Sequence, residues 1–299
     1  MSDDQPIEQG TGAPAKSQIS WGGLDTAARA QVLVEALPYI QRFHGQRIVI
    51  KLGGNAMAER KEETLLDIVL LRYVGMHPVL VHGGGPEITA MAERLGLRSE
   101  FRDGLRVTDE STIEVVKMVL TGKINPDLVA TLNRLGGQAV GMSGEDGPSI
   151  IAEAQDPSLG FVGKVQQVNP EPIEALIGRG YIPVIASVGL GYDGHSYNIN
   201  ADTVAAEVAV ALGAAKLILL TDVPGVLGAD GQVISELRRE AASRLLAGGS
   251  IGGGMIPKVE ACLRALDAVP LTHIIDGRVA HSLLLELFTE AGIGTMVAP

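Results

Sequence analysis

Between residues 46 and 277, short apolar runs alternate with stretches of helical periodicity, and this alternation constrains the chain more than any other feature. The runs are RIVIKL, PVLVHG (78–83), QAVGMS (138–143), YIPVIAS (181–187), KLILLTDV (216–223) and THIIDG (272–277). Helical patterns separate several of them, at 63–75, 86–96, 109–135, 200–212 and 257–268. A strand that is apolar throughout must be covered on both faces, and strands joined through helices pair in parallel. The expected fold is α/β, an open, mostly parallel sheet sandwiched between helices. Segment 144–170, with turns at Gly147-Pro148 and Asp156-Pro157, reads as a β-hairpin excursion.

Ahead of the alternation, residues 24–45 carry Ala30, Leu33, Leu37 and Ile40 at helical spacing. They predict an extra N-terminal helix, lying on the core or meeting another subunit. Pro38 should kink or split it. Residues 1–23 are rich in Gly, Pro, Ser and charge, and read as a disordered tail.

Composition narrows the function. Hydrophobic residues make up 46% and aromatics 3%, so the core must be built from Ala, Val, Leu and Ile. A formal charge of −11 argues against a nucleic-acid surface. Cys262 is the only cysteine, which excludes a disulfide framework and a cysteine-based zinc site. Neither a signal peptide nor a run long enough to span a membrane is seen, so a cytoplasmic protein is expected.

Lysine is out of place at two positions. Lys51 ends an otherwise apolar strand just before Gly53-Gly54, and an unpaired ammonium in an apolar core is costly. Lys258 follows Pro257 in a first helical turn, where the helix dipole disfavours a cation. One anion shared by both would resolve both conflicts. Asp202, opening the helix after NIN, could hold the two ammonium groups in place. Phosphoryl transfer suits such a pair, because its transition state spreads negative charge over peripheral oxygens. If the acceptor is a carboxylate, no general base is needed. His82, His195 and His281 accordingly read as structural or peripheral.

Other residues cluster at strand ends, where open α/β sheets bind ligands. In VHGGGPEI, three glycines precede Pro86 and offer backbone N–H groups to an anion. The pattern is neither G-x-G-x-x-G on the first strand nor G-x-x-x-x-G-K-[ST], which weighs against a dinucleotide-dependent oxidoreductase and a P-loop. Arg106 in FRDGLRVTDEST offers a fork for a carboxylate. Asn198 and Asn200 alternate on an extended segment and so share a side.

Taken in order, IVIKLGG, VLVHGGGPEI, GLRVT, AVGMSGEDG, NINADTVAAEVAVALGA, LLTDVPGVL and GGMIPKVEACLRAL resemble the amino-acid kinase family, in its N-acetylglutamate kinase branch, from about residue 28 to 299. The resemblance implies a kinase domain over 46–299, with an acyl-amino-acid lobe at 46–195 and a nucleotide lobe at 196–299. It implies ATP, with Mg²⁺ on the nucleotide, and N-acetyl-L-glutamate as phosphoryl acceptor in arginine biosynthesis. Lys51 and Lys258 would stabilise the transition state and Asp202 would orient them. Gly84, Gly85, Arg106, Asn198 and Asn200 would hold the acceptor. Gly53, Gly54, Thr221, Asp222, Gly225, Val226, Leu227, Ser250 and Gly252 would hold ATP.

The N-terminal helix and HSLLLELFTEAGIGTM (281–296) resemble the arginine-inhibited, hexameric members, built as trimers of dimers. On that resemblance Tyr39, His281, Glu286 and Gly292 would contact arginine as an inhibitor. A signalling partner of the PII type is compatible with the family but is not implied by any motif. Pro126 in GKINPDLVATLN departs from the helix-friendly residue expected there. A sister carboxylate kinase and a non-catalytic arginine-sensing relative are the alternatives, although the second should have lost a lysine or Asp202.

Overall fold

The computed structural model describes residues 26–102, 104–290 and 292–299, apart from the side chains of residues 26, 29 and 54–59. The tail assigned to 1–23 lies outside the described residues. The chain divides into two compact units, Met1–Leu37 and Pro38–Pro299. In the first, residues 26–37 are helical, and Val32, Leu33, Val34 and Leu37 are exposed. They open helix α1 (Thr26–Phe43), which continues through Pro38 instead of splitting there. The N–H that Pro38 lacks would have served the carbonyl of Val34, which stands on an exposed stretch where water can replace it.

The second unit begins its alternation with β1 (Arg47–Leu52), α2 (Gly54–Tyr73), β2 (His77–His82) and α3 (Gly85–Arg94). A two-stranded hairpin of β3 (Phe101–Arg102) and β4 (Leu105–Arg106) follows, then α4 (Glu110–Val119) and α5 (Asn125–Arg134). Between these two helices, Leu120–Ile124 forms a π-turn. Next come β5 (Ala139–Ser143), β6 (Ile150–Ala154), β7 (Val162–Val168), α6 (Glu171–Gly178), β8 (Ile182–Ala186), β9 (Val188–Gly191) and β10 (Ser196–Ile199). The chain closes with α7 (Ala201–Ala211), β11 (Lys216–Thr221), β12 (Glu236–Arg238), α8 (Arg239–Ala247), α9 (Ile256–Ala265), β13 (Thr272–Asp276), α10 (Ser282–Phe288) and β14 (Thr295–Ala298).

The main sheet has the order β12-β14-β13-β11-β1-β2-β8-β5. Its six inner and right-hand strands are mutually parallel, while β14 pairs antiparallel with β13 and carries β12 alongside it. The hairpin of β6 and β7 is present, but β9 and β10 join it in a small closed barrel. Sequence reading missed that closure because β9 and β10 have four residues each and pair with partners distant along the chain.

Alternation along each strand divides the core into two clusters. Val49, Val79, Val81, Leu217 and Leu219 pack with the small residues of α7 and with α9, whereas Ile48, Ile50, Leu80, Ile218 and Leu220 pack against α2, α4 and α5. Lys51 is two residues after Val49, so its side chain is directed to the α7 and α9 face. This register fixes which residues it can meet. No described helix is long and apolar enough to cross a membrane.

Candidate active site

Helix α7 is a run of Ala and Val broken by few polar groups, and Val204, Ala205, Ala206, Val208 and Ala209 are buried. Small side chains let it approach β1 and α9 closely. Its first turn is capped by Asn200, whose Oδ1 accepts from the backbone N–H of Asp202 (2.8 Å) and of Thr203 (3.3 Å). The Asn200 carbonyl is thus committed to the cap, and that fixes Asp202 directly beside Lys51. Lys51 Nζ lies 2.9 Å from Asp202 Oδ1, and Lys258 Nζ donates to Oδ2 at 2.8 Å. All three are largely withdrawn from water, with side-chain exposures of 8%, 4% and 13% for Lys51, Asp202 and Lys258.

Two cations facing one anion leave a net positive charge in a dry place. Burial, reinforced by the neighbouring Lys258 and opposed by Asp202, lowers the Lys51 pKa. Burial would raise that of Asp202, but the two ammonium groups together hold it below the usual carboxylate value. An additional anion would complete the charge balance.

A cleft of about 480 Å³ opens onto this triad, lined by Lys51, Gly53, Thr221, Asp222, Gly252 and Lys258 among others. It stands at the carboxyl ends of β1 and β11. Gly53 caps α2, and a Cβ there would be 3.0 Å from the Leu220 carbonyl oxygen and 3.6 Å from Lys51 Nζ. The N-termini of α2 and α9 thus stand at the cleft, where helix dipoles favour an anion.

Asn200 and Ala201, just before Asp202, belong to a neighbouring cavity of about 190 Å³ that also includes Gly84, Gly85, Arg106 and Asn198. A Cβ on Gly83 would approach Ala201 Cβ to 3.3 Å, so the glycine loop and the start of α7 are in close contact. Arg106 is buried, with its guanidinium stacked 4.6 Å from the Phe101 ring. Its Nη2 donates to Gly85 O (2.9 Å) and Thr89 Oγ1 (2.7 Å), and Nη1 donates to Ser99 Oγ. The fork thus grips the first turn of α3. Asn198 Nδ2 donates to Thr108 Oγ1 at 3.3 Å.

Residues 46–276 match the Amino acid kinase family. The chain belongs to the amino acid kinase family. It is 56% identical over 277 residues to the acetylglutamate kinase of Syntrophomonas wolfei subsp. wolfei (strain DSM 2245B / Goettingen), covering 90% of this chain and 96% of that one. It is 55% identical over 281 residues to the acetylglutamate kinase of Synechococcus sp. (strain CC9311), covering 92% and 99%. Among solved structures, an N-acetylglutamate synthase from Neisseria gonorrhoeae, complexed with coenzyme A and N-acetyl-glutamate, superposes with a TM-score of 0.80 at 28% identity. The match covers 90% of this chain but 63% of that synthase. A Giardia carbamate kinase, at 18% identity with a TM-score of 0.64 over 85% of this chain and 99% of that one, shares the fold.

Within this amino acid kinase the expected residues assemble unevenly. The three charged residues come together, and Gly84, Gly85, Arg106, Asn198 and Asn200 all line the smaller cavity. Of the nucleotide candidates, Gly53, Thr221, Asp222 and Gly252 line the larger cleft, and Gly54 heads α2. Gly225, Val226, Leu227 and Ser250 do not line it. Val226 is buried in the core and its N–H donates to Thr295 Oγ1 at 2.8 Å, while Leu227 bridges to Val233. Val223, Gly254 and Met255 line the cleft instead and were not singled out from the sequence. Among the described residues, no group of three or more His, Cys, Asp or Glu could hold a metal ion.

A third cavity, of about 380 Å³, lies at the amino ends of β11 and β13 and includes Tyr39, Glu286 and Gly292. His281 is not part of it. That histidine starts α10 with φ 54°, and its Nδ1 meets Asp67 Oδ1 at 2.7 Å. Its left-handed backbone stands ahead of the regular helix that carries Glu286, and its ring turns to Asp67 on α2. The histidine on the cavity is His273, whose Nε2 lies 2.9 Å from Glu286 Oε1 beside Lys216. Both were overlooked, although each is a polar residue at the start of an apolar strand.

Proposed function

We propose that this chain transfers the γ-phosphoryl group of ATP, supplied as its Mg²⁺ complex, to the side-chain carboxylate of N-acetyl-L-glutamate, giving ADP and N-acetyl-L-glutamyl 5-phosphate. The observation that carries this reading is the buried Lys51–Asp202–Lys258 cluster facing the larger cleft, with the Arg106 cavity beginning next to it in sequence. The larger cleft takes the nucleotide and the smaller one the acylated amino acid, so the two reactants meet at the start of α7. The acceptor cavity draws on both the 46–195 and the 196–299 segments.

The acceptor carboxylate is already ionised and attacks the γ-phosphorus without a base. The bond to the ADP oxygen breaks as the new P–O bond forms. Lys51 and Lys258 neutralise the oxygens that gain charge, and the backbone N–H groups at Gly53 and Gly84 add donors that need no reorganisation. Asp202 holds both ammonium groups in place. Mg²⁺ enters with the phosphates of the nucleotide as part of the substrate.

The cavity around Lys216, His273 and Glu286 is assigned to L-arginine as a feedback inhibitor, and helix α1 to assembly of a homo-oligomer, a hexamer built as a trimer of dimers. The anionic Glu286 and the half-buried Tyr39 suit a guanidinium ligand.

Hydroxylamine trapping of the acyl phosphate tests the assignment. N-acetylglutamate, glutamate, aspartate and carbamate are offered in parallel with ATP–Mg²⁺, each with and without arginine. Hydroxamate from N-acetylglutamate, suppressed by arginine, is the expected result. Hydroxamate from another acceptor, or from none, overturns the acceptor assignment, and product insensitive to arginine removes the inhibitor site.

A further inference from the structure

We infer that Asn125, acting through the ring of His82, fixes the orientation of the Gly83–Gly84 peptide and so aims the Gly84 N–H into the acceptor cavity. The inference rests on the assignment of that cavity to the phosphoryl acceptor. Both are positioning residues; neither lines the cavity.

The argument starts from Pro126, the residue that departs from a regular helix. Proline has no N–H for the carbonyl four residues back, here Gly122, and its ring crowds that carbonyl. The helix widens at this point into the Leu120–Ile124 π-turn, in which Asn125 N–H bonds the carbonyl of Leu120, five residues earlier. Such single wide turns recur at functional sites. Two consequences follow. Leu120 and Ile124 are pressed beneath the glycine loop, where a Cβ on Gly84 would come within 2.8 Å and 2.2 Å of their methyl carbons. Asn125 is turned inward and buried at 5% exposure.

Its amide then determines a chain of hydrogen bonds. Asn125 Nδ2 faces Val184 O at 2.9 Å and Met142 O at 3.3 Å, two groups that can only accept. The amide nitrogen, and not its oxygen, must therefore occupy that position. The same nitrogen lies 3.0 Å from His82 Nε2; its two protons serve the two shorter contacts, Val184 O and His82 Nε2, so Nε2 accepts. His82 has no exposed surface, and burial lowers its pKa to about 4, so the ring is neutral. Its single proton is consequently on Nδ1, which donates to Gly83 O at 3.1 Å.

With the Gly83 carbonyl held towards His82, the planar trans peptide turns the Gly84 N–H the opposite way. Gly141 makes the arrangement possible, because a Cβ there would fall 1.9 Å from Asn125 Oδ1. The acceptor loop is thus oriented by a histidine tautomer that is itself selected by an asparagine on a π-turn.

The test reads the tautomer directly and then its effect. In ¹⁵N-labelled protein, long-range ¹H–¹⁵N correlation shows which ring nitrogen of His82 is protonated, with the signal assigned by its loss in His82→Asn. A proton on Nδ1 is expected; a proton on Nε2 overturns the proposal. The asparagine of His82→Asn can place an amide donor where Nδ1–H stood, whereas His82→Gln places its amide where Nε2 stood. With N-acetylglutamate and ATP–Mg²⁺, His82→Gln should lose about tenfold in kcat, as for one hydrogen bond made in the transition state. His82→Asn should retain most of it, and the KM for ATP should change in neither. Equal losses in both variants would contradict the positioning role. Inactivity of the wild-type protein towards every acceptor would instead overturn the functional reading, and the tautomer would still decide this one.

Discussion

Lys258 Nζ donates to Asp202 Oδ2 at 2.8 Å, and Lys51 Nζ lies 2.9 Å from Oδ1, so each lysine faces its own oxygen of one buried carboxylate. Either change to Met should lower kcat by about 10²–10³-fold, the usual cost of losing one charge-stabilising donor. Each change should also lower stability by about 3 kcal/mol, because it leaves one oxygen of the buried Asp202 without its cation. Steady-state kinetics together with chemical denaturation of both variants separate the two effects.

Arg106 grips Gly85 and Thr89 as well as lining the acceptor cavity. Arg106→Ala should raise the KM for the acyl amino acid by more than about tenfold, since a charged hydrogen bond is worth about 1.5–3 kcal/mol. The KM for ATP should be little changed. Equal rises in both constants would place Arg106 outside the acceptor site.

Neighbouring glycines should behave oppositely. A methyl group on Gly84 would collide with Ile124 and Leu120, while one on Gly85 meets nothing within 4 Å. Gly84→Ala should destabilise the protein by about 1–3 kcal/mol through overpacking. Gly85→Ala should melt like the wild type, and thermal denaturation of the pair checks the contrast.

Much of this site could be read from the chain because one rule covers it: a charged side chain in an apolar strand needs a partner. Lys51 obeyed that rule, and alternation in β1 fixed the face on which Asp202 and Lys258 would be found. The same rule applied to Lys216 and His273 would have located the third cavity, but these residues start their strands, at the end of the sheet away from the nucleotide cleft. His281 drew attention instead through its place in a motif, and motif position does not reveal which way a helix start faces. The barrel of β6, β7, β9 and β10 and the antiparallel β14 depend on pairings that no local pattern encodes, and Pro126 marked an irregular helix without showing that it would widen into a π-turn. Val226 shows the converse, since a backbone N–H in a glycine-rich loop can serve the core as readily as a ligand.

Asp67 gives the fold a pH dependence. Its side chain is buried, one oxygen faces His281 and the other has no hydrogen-bond partner. Burial raises its pKa to about 6, partly countered by His281. A carboxyl whose pKa is raised on folding contributes most below its unfolded value near 4, and that contribution is lost as pH rises to about 6. Asp67→Asn carries no such group. The variant should gain on the wild type between about pH 4 and pH 6, by up to about 1–3 kcal/mol, and hold that advantage above. Urea denaturation of both proteins across this range reads the difference.

The central claim is that the phosphoryl group moves onto the side-chain carboxylate of the acylated amino acid. N-acetylglutamate labelled with oxygen-18 in that carboxylate tests it most directly. The protein, ATP–Mg²⁺ and the labelled acceptor are incubated with hydroxylamine, and the released phosphate is examined by ³¹P NMR. Hydroxylamine attacks the acyl carbon, so phosphate should depart carrying one oxygen-18 from the acceptor. Phosphate free of oxygen-18 would mean that the carboxylate never received the phosphoryl group, and the account would fail.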